Sequence, residues 1–142
     1  MDVKIKLLEN GLMPRYGRAG DACLDCYADI DSDVDIKPGE RTLVSLGFCL
    51  ELPDGYEAVI RPRSGLTKKG IDIGIGTVDS NYRGEVKACV INSSSEVFTV
   101  HKDDRICQLA VRKTENVNFI STGQLSDSNR GSCGFGSSGM QG

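Results

Sequence analysis

Helical periodicity, an excess of positive charge and apolar runs of membrane-spanning length are all missing from this chain. No segment sustains apolar residues at spacings of three and four, which argues against helices. Net charge is −3, so no basic field points to nucleic acid, and any bound anion must be gripped locally. No apolar run among the 142 residues is long enough to cross a bilayer, so no membrane partner is expected. Histidine occurs once, at His101. The single Cys-x-x-C, Cys23 to Cys26, therefore lacks the second knuckle that zinc wants. No segment repeats. The first residues, Met1-Asp2-Val3-Lys4-Ile5-Lys6, alternate like a strand and lack a signal-peptide core.

What is present is β-like. Short apolar runs alternate with turn clusters rich in Gly, Pro, Asp and Asn, which predicts an all-β fold with one core. Residues 23–30 read as a strand carrying Asp25, and residues 42–52 as a long apolar strand closed by Pro53-Asp54-Gly55. Residues 56–60, 86–92, 97–100 and 105–112 read as further strands, and 117–120 as the last strand of the body. Residues 10–22 read as a loop, and Ser64-Gly65-Leu66 as a single helical turn. Six cysteines without a secretory signal are read as reduced, mostly small buried thiols. They suit the cytoplasm, or the nucleus of a eukaryotic or viral system. From Gln124 onward the chain is rich in Gly and Ser and too poor in apolar residues to hold itself down. This divides the chain into a β body, 1–123, and a tail, 124–142.

The stretch Gly76-Thr77-Val78-Asp79-Ser80-Asn81-Tyr82-Arg83-Gly84-Glu85-Val86 concentrates the chemistry. It reads as a β-hairpin with a buried carboxylate, an aromatic ring and a cation between two valine-bearing strands. An ordinary polar hairpin would look similar. Asp79 is the candidate general base. Tyr82 is either a core ring or a platform for a sugar, one that would exclude an added hydroxyl by sterics. Asp25 is either a core carboxylate paired with an arginine or one facing a metal-bound water. Arg63-Ser64-Gly65 offers a guanidinium, a hydroxyl and free backbone donors, and Gln108 adds an amide. Arg130 and Gly134-Phe135-Gly136-Ser137-Ser138-Gly139 repeat that chemistry on the tail.

Taken in order, these segments resemble the five motifs of the trimeric deoxyuridine triphosphatases (dUTPases). Ala19-Gly20-Asp21-Ala22-Cys23-Leu24-Asp25 is similar to the first, and Pro62-Arg63-Ser64-Gly65-Leu66 matches the second. Residues 76–86 resemble the third, Arg105-Ile106-Cys107-Gln108-Leu109 the fourth, and the Arg130 to Gly139 run the fifth. The resemblance implies a distorted jelly-roll-like (β-clip) subunit and a homotrimer with active sites between subunits. It also implies magnesium-assisted hydrolysis of dUTP to dUMP and pyrophosphate, which limits uracil in DNA and supplies dUMP for thymidylate synthesis.

By position, the resemblance gives Asp79 the attacking water and Tyr82 the deoxyribose. The backbone of Gly76, Thr77, Val78 and Lys87 would read the uracil edge. Arg63, Ser64, Gly65 and Gln108 would hold phosphates, and Asp25 would meet magnesium (Mg2+) through water. Phe135 would stack on the uracil while Arg130, Gly136, Ser137 and Ser138 close on the terminal phosphates. The chain departs from the usual pattern at Cys23, Leu24 and Cys26 in the first motif, at Asn81 in the third and at Cys133 in the tail. A dCTP deaminase relative would need a glutamate at the base ring, and Glu85 is the only nearby candidate. A nucleotide-sensing module that signals to a protein partner is the alternative of another class.

Overall fold

The computed structural model describes residues 1–132. In chain order the strands are β1 (Lys4–Leu7), β2 (Arg15–Tyr16), β3 (Leu24–Tyr27), β4 (Val34–Ile36), β5 (Arg41–Glu51) and β6 (Tyr56–Arg61). A single helical turn, α1 (Ser64–Thr67), precedes β7 (Ile71–Gly74), β8 (Gly76–Val78), β9 (Glu85–Asn92), β10 (Phe98–Val100) and β11 (Arg105–Lys113). The strands form a four-stranded sheet in the order β1-β5-β9-β7, a five-stranded sheet β2-β3-β11-β6-β8 and a ribbon β10-β4. Every pairing is antiparallel. This is the all-β, jelly-roll-like architecture expected from the sequence. No helix among the described residues is long and apolar enough to cross a membrane.

All three sheets feed one core. Val44, Leu46, Phe48 and Leu50 of β5 meet Ile60 of β6, Ala88 and Val90 of β9 and Ile106 of β11, with Ile36 and Val100 from the ribbon. Burying a side chain such as Phe48, fully enclosed here, contributes about 2–3 kcal/mol. The pairing of β5 with β9 is interrupted between Ser45 and Cys49, where Gly47 adopts φ 71°. A side chain there would run into Asp29 and the backbone of Gly11. The Gly47 carbonyl accepts from the Leu8 N–H at 2.9 Å, which fastens the end of β1 to the irregularity. Asn92, also fully buried, closes β9 against the ribbon. Its Nδ2 donates to the carbonyls of Ile36 and Glu96, each at 2.7 Å.

Three expectations need correction. Residues 10–22 are not wholly a loop, because Arg15–Tyr16 adds a short strand to β3. Residues 117–120 form no strand: Val117, Phe119 and Ile120 stand exposed, because the segment finds no partner strand within the subunit. Residues 76–86 are not a hairpin. β8 takes its hydrogen bonds from β6, and β9 from β5 and β7, so the two strands belong to different sheets. The turn between them crosses from one sheet to the other.

Candidate active site

The crossing creates a cavity of about 330 Å³. Gly76, Thr77 and Val78 form one wall. Among the described residues β8 is the last strand of its sheet and pairs on one side only, with Ala58, Val59 and Ile60 of β6. Its outer row of backbone donors and acceptors is therefore free to meet a ligand. Glu85, Val86 and Lys87 of β9 form the opposite wall, Ile60 lies behind, and Asp79 and Tyr82 stand at the turn.

The turn is fixed by its own chain. The Asp79 carbonyl accepts from the Tyr82 N–H at 3.1 Å. Arg83 donates to the carbonyls of Ser80, at 2.6 Å, and Tyr82, at 2.9 Å. The Tyr82 hydroxyl donates to the carbonyl of Glu85 at 3.1 Å. Asp79 itself is exposed, a correction to the buried carboxylate read from sequence. The chain has already left β8 at this point, so neither sheet covers the side chain. Lys87 extends its amine to Glu85 at 3.3 Å along the same wall.

A second cluster lies across β6 from the cavity. Gln108 on β11 stands opposite Asp25 on β3 and opposite Arg61 on β6. Its Nε2 reaches Asp25 Oδ1 at 3.5 Å. Arg63 Nε lies 3.2 Å from the same oxygen, and Arg105 donates to Oδ2 at 3.2 Å. The Arg63 Nε contact is an ion pair rather than a directed hydrogen bond, since its N–H finds no aligned acceptor. The aligned bond of this guanidinium runs from Nη1 to the Arg105 carbonyl at 2.7 Å. Asp25 is thus paired with arginine, one of the two readings drawn from the sequence; the pairing does not bear on the other, a metal-bound water. Asp25 is 7% exposed and balances one of the two guanidinium charges.

Beside this cluster, Ser64 and Gly65 open α1 on the surface. The first turn of a helix leaves its N–H groups without intrahelical partners. The cavity that carries Asp79 and the one that carries Arg63 share no lining residue, so the two clusters stand as separate half-sites on the subunit. Arg130 is exposed; Phe135, Gly136, Ser137 and Ser138, with Cys133, lie outside the described residues.

Two participants had no clear sequence signal. Leu43 lines the cavity from β5, far upstream of the other wall residues, so no local pattern could reveal it. Arg105 reaches Asp25 because β11 is irregular between Arg105 and Cys107, which lets Arg105 and Gln108 address one carboxylate. Its place in the Arg105-Ile106-Cys107-Gln108 segment was the available hint. Behind this cluster Cys26 and Cys107 face each other across β3 and β11, both fully buried. Hydrogen bonding to Cys107 and burial push the Cys26 thiol well above its ordinary range. Cys23, Cys26, Cys49, Cys89 and Cys107 are all free thiols.

A family model described as dUTPase matches residues 9–139. The deoxyuridine 5'-triphosphate nucleotidohydrolase of Finegoldia magna is 43% identical over 142 residues, covering 98% of this chain and 99% of that protein. The protein of the same name from Neorickettsia sennetsu is 43% identical over 144 residues, covering 97% of each. Among solved structures, the Staphylococcus bacteriophage 80alpha dUTPase with dUPNHPP superposes with a TM-score of 0.89 at 24% identity, covering 98% of this chain and 99% of that one. A mutant dUTPase from phage phi11 of S. aureus, described as coordinating a structural Mg(II) ion, superposes with a TM-score of 0.81 at 18% identity, covering 89% of this chain and all of that one. At these identities the two phage structures bear on the fold alone.

Proposed function

This chain belongs to the dUTPase family, and on that premise we propose how its own residues hydrolyse dUTP to dUMP and pyrophosphate. One observation carries the reading. The unpaired edge of β8 and the side chains of Asp79 and Tyr82 converge on a single nucleoside-sized cavity.

The backbone of Gly76, Thr77 and Val78, with that of Lys87 opposite, reads the donor and acceptor pattern of the uracil edge. Tyr82 packs against the deoxyribose and leaves no room for a 2'-hydroxyl. Asp79 takes the proton from a water aimed at the α-phosphorus, and its exposed position gives that water access. Arg63, Ser64, Gly65 and Gln108 hold the phosphates. The arginine-rich cluster around Asp25 stabilises charge that builds as the bond breaks. The tail, 124–142, closes over the bound nucleotide: Phe135 stacks on the base, while Arg130, Gly136, Ser137 and Ser138 grip the far phosphates and shed water.

The residues present fit magnesium. No cluster of three His, Cys, Asp or Glu among the described residues could cage the ion alone. Magnesium usually keeps its waters and leans on one or two carboxylates plus substrate phosphates. An ionised carboxylate offers about four acceptor positions, and Asp25 accepts from Arg105 and Gln108 while it pairs with Arg63, leaving capacity for a metal-bound water. The ion, when bound, neutralises part of the triphosphate's charge.

The active unit is a homotrimer with each site shared between subunits. The separation of the two half-sites supports this, as do the apolar side chains of Val117, Phe119, Ile120 and Leu125, exposed on the single subunit. An apolar groove lined by Val3, Ile5, Met13, Leu50 and Val111 would suit such side chains from a neighbour. Free thiols suit a reducing compartment such as the cytoplasm.

The deciding experiment measures pyrophosphate release from dUTP, UTP, dTTP and dCTP with magnesium. Selective release from dUTP is the expected result. Equal turnover of UTP would overturn the sugar reading, and ammonia release from dCTP would overturn the reaction itself.

A further inference from the structure

Gly84 is not required by its own backbone. Its φ lies outside the left-handed region occupied by Gly20, Gly39, Gly47, Gly55, Gly70 and Gly131, so an alanine would meet no conformational strain there. What a side chain at 84 lacks is room. A Cβ on Gly84 would stand 2.5 Å from Tyr82 Cζ and 2.9 Å from Cε2, and closer still to the phenol oxygen. The far half of the Tyr82 ring fills the volume that a side chain would take.

The ring is held there at both ends. Its Cα sits in a turn fixed by Arg83, and its hydroxyl is tied to the Glu85 carbonyl at 3.1 Å. In this recessed pose the hydroxyl end of the ring lies against Gly84 while Tyr82 still borders the cavity and remains 45% exposed.

We propose that Gly84 is a positioning residue for sugar selection: its missing side chain lets Tyr82 lie back against the turn, and that pose sets the cavity's depth beside the sugar. The proposal deepens the dUTPase reading of this cavity and rests on it. With a methyl group at 84 the ring must lift off the turn. The displaced atoms are the free end of one side chain, so the fold survives. The wall against the deoxyribose moves, and the loss falls on binding of the deoxynucleotide and on its discrimination from the ribonucleotide.

The test uses the full chain and four proteins: wild type, Gly84→Ala, Tyr82→Ala and the double variant. Wild-type turnover of dUTP is measured first. Its absence overturns the substrate reading and this proposal with it; its presence leaves only Gly84 in question. Gly84→Ala is expected to raise KM for dUTP by roughly ten- to a hundredfold and to lower the dUTP-to-UTP ratio of kcat/KM, with its melting temperature and oligomeric state unchanged. In the Tyr82→Ala background the same substitution should change nothing further. An unchanged KM and ratio in Gly84→Ala, or an equal loss in both backgrounds, would overturn the proposal. If Gly84→Ala does not fold, removal of the ring in the double variant must restore folding, and failure to do so also overturns it.

Discussion

Arg63 donates to the backbone carbonyl of Arg105 at 2.7 Å, and the guanidinium groups of both residues address one carboxylate, Asp25. The loop after β6 and the first residue of β11 are thereby joined into one cationic unit around a single anion. Ser64 opens α1 directly after Arg63 in the chain, so the cationic unit and the start of that turn are adjacent.

Replacing Asp25 with asparagine removes the anion that offsets both arginines. Asp25 is nearly enclosed and its side chain accepts from charged donors, so the variant should lose about 2 kcal/mol of stability. A urea titration reads this as a lower midpoint. An unshifted midpoint would show that the two ion pairs contribute nothing net to the fold.

Asp79→Asn keeps the shape of the turn and removes the base. Turnover should fall by roughly a hundredfold or more, while dUTP binding measured by calorimetry stays close to wild type. Wild-type turnover in this variant would remove Asp79 from the chemistry.

Ending the chain after Asn129 should leave the body folded, because residues 124–132 are exposed and contribute no side chain to the core. The melting temperature is expected to hold while kcat/KM for dUTP drops at least about tenfold. An unfolded product would show that the tail is structural.

Asn92→Ala leaves the carbonyls of Ile36 and Glu96 without their donor and Ser94 without its acceptor. In a fully buried position this should cost about 3 kcal/mol, read by thermal unfolding. Asn92→Asp should cost at least as much, since a carboxylate cannot donate to those carbonyls.

His101 gives stability a pH dependence of known sign. Its ring Nδ1 lies 2.9 Å from Asp33, and that hydrogen bond raises its pKa above the ordinary 6.5, with the Asp33, Asp104 and Asp35 charges adding to the shift. The folded state holds the proton more tightly than the unfolded chain. The resulting stabilisation is complete below 6.5 and fades as pH rises through the elevated folded value. His101→Gln should flatten the melting temperature across that window, most visibly at low salt because the pair is exposed.

Local chemistry was legible in the sequence, and distant pairing was not. The apolar run of β5 and the single turn of α1 could be read in place because each is specified by its own neighbours. Gly76 to Val86 reads as a chemically dense stretch for the same reason. Its pairing was misread because two valines around turn residues carry the same pattern whether they pair with each other or with other strands. Here β6 takes β8, while β5 and β7 take β9. The apolar residues at 117–120 suggest a strand, but a strand needs a partner, and this segment joins none of the sheets among the described residues. Arg105 came to Asp25 only through an irregularity in β11 that no residue announces, and Leu43 reached the cavity through sheet order alone.

The crossing of residues 79–84 from one sheet to the other means that a nucleotide bound in this cavity would be gripped by a gap rather than by an element. Phe48 and Val90 do not line that gap but belong to the core on which both sheets pack. Trimming either should therefore retune affinity from a distance, so that substrate binding reports on the compaction of the core.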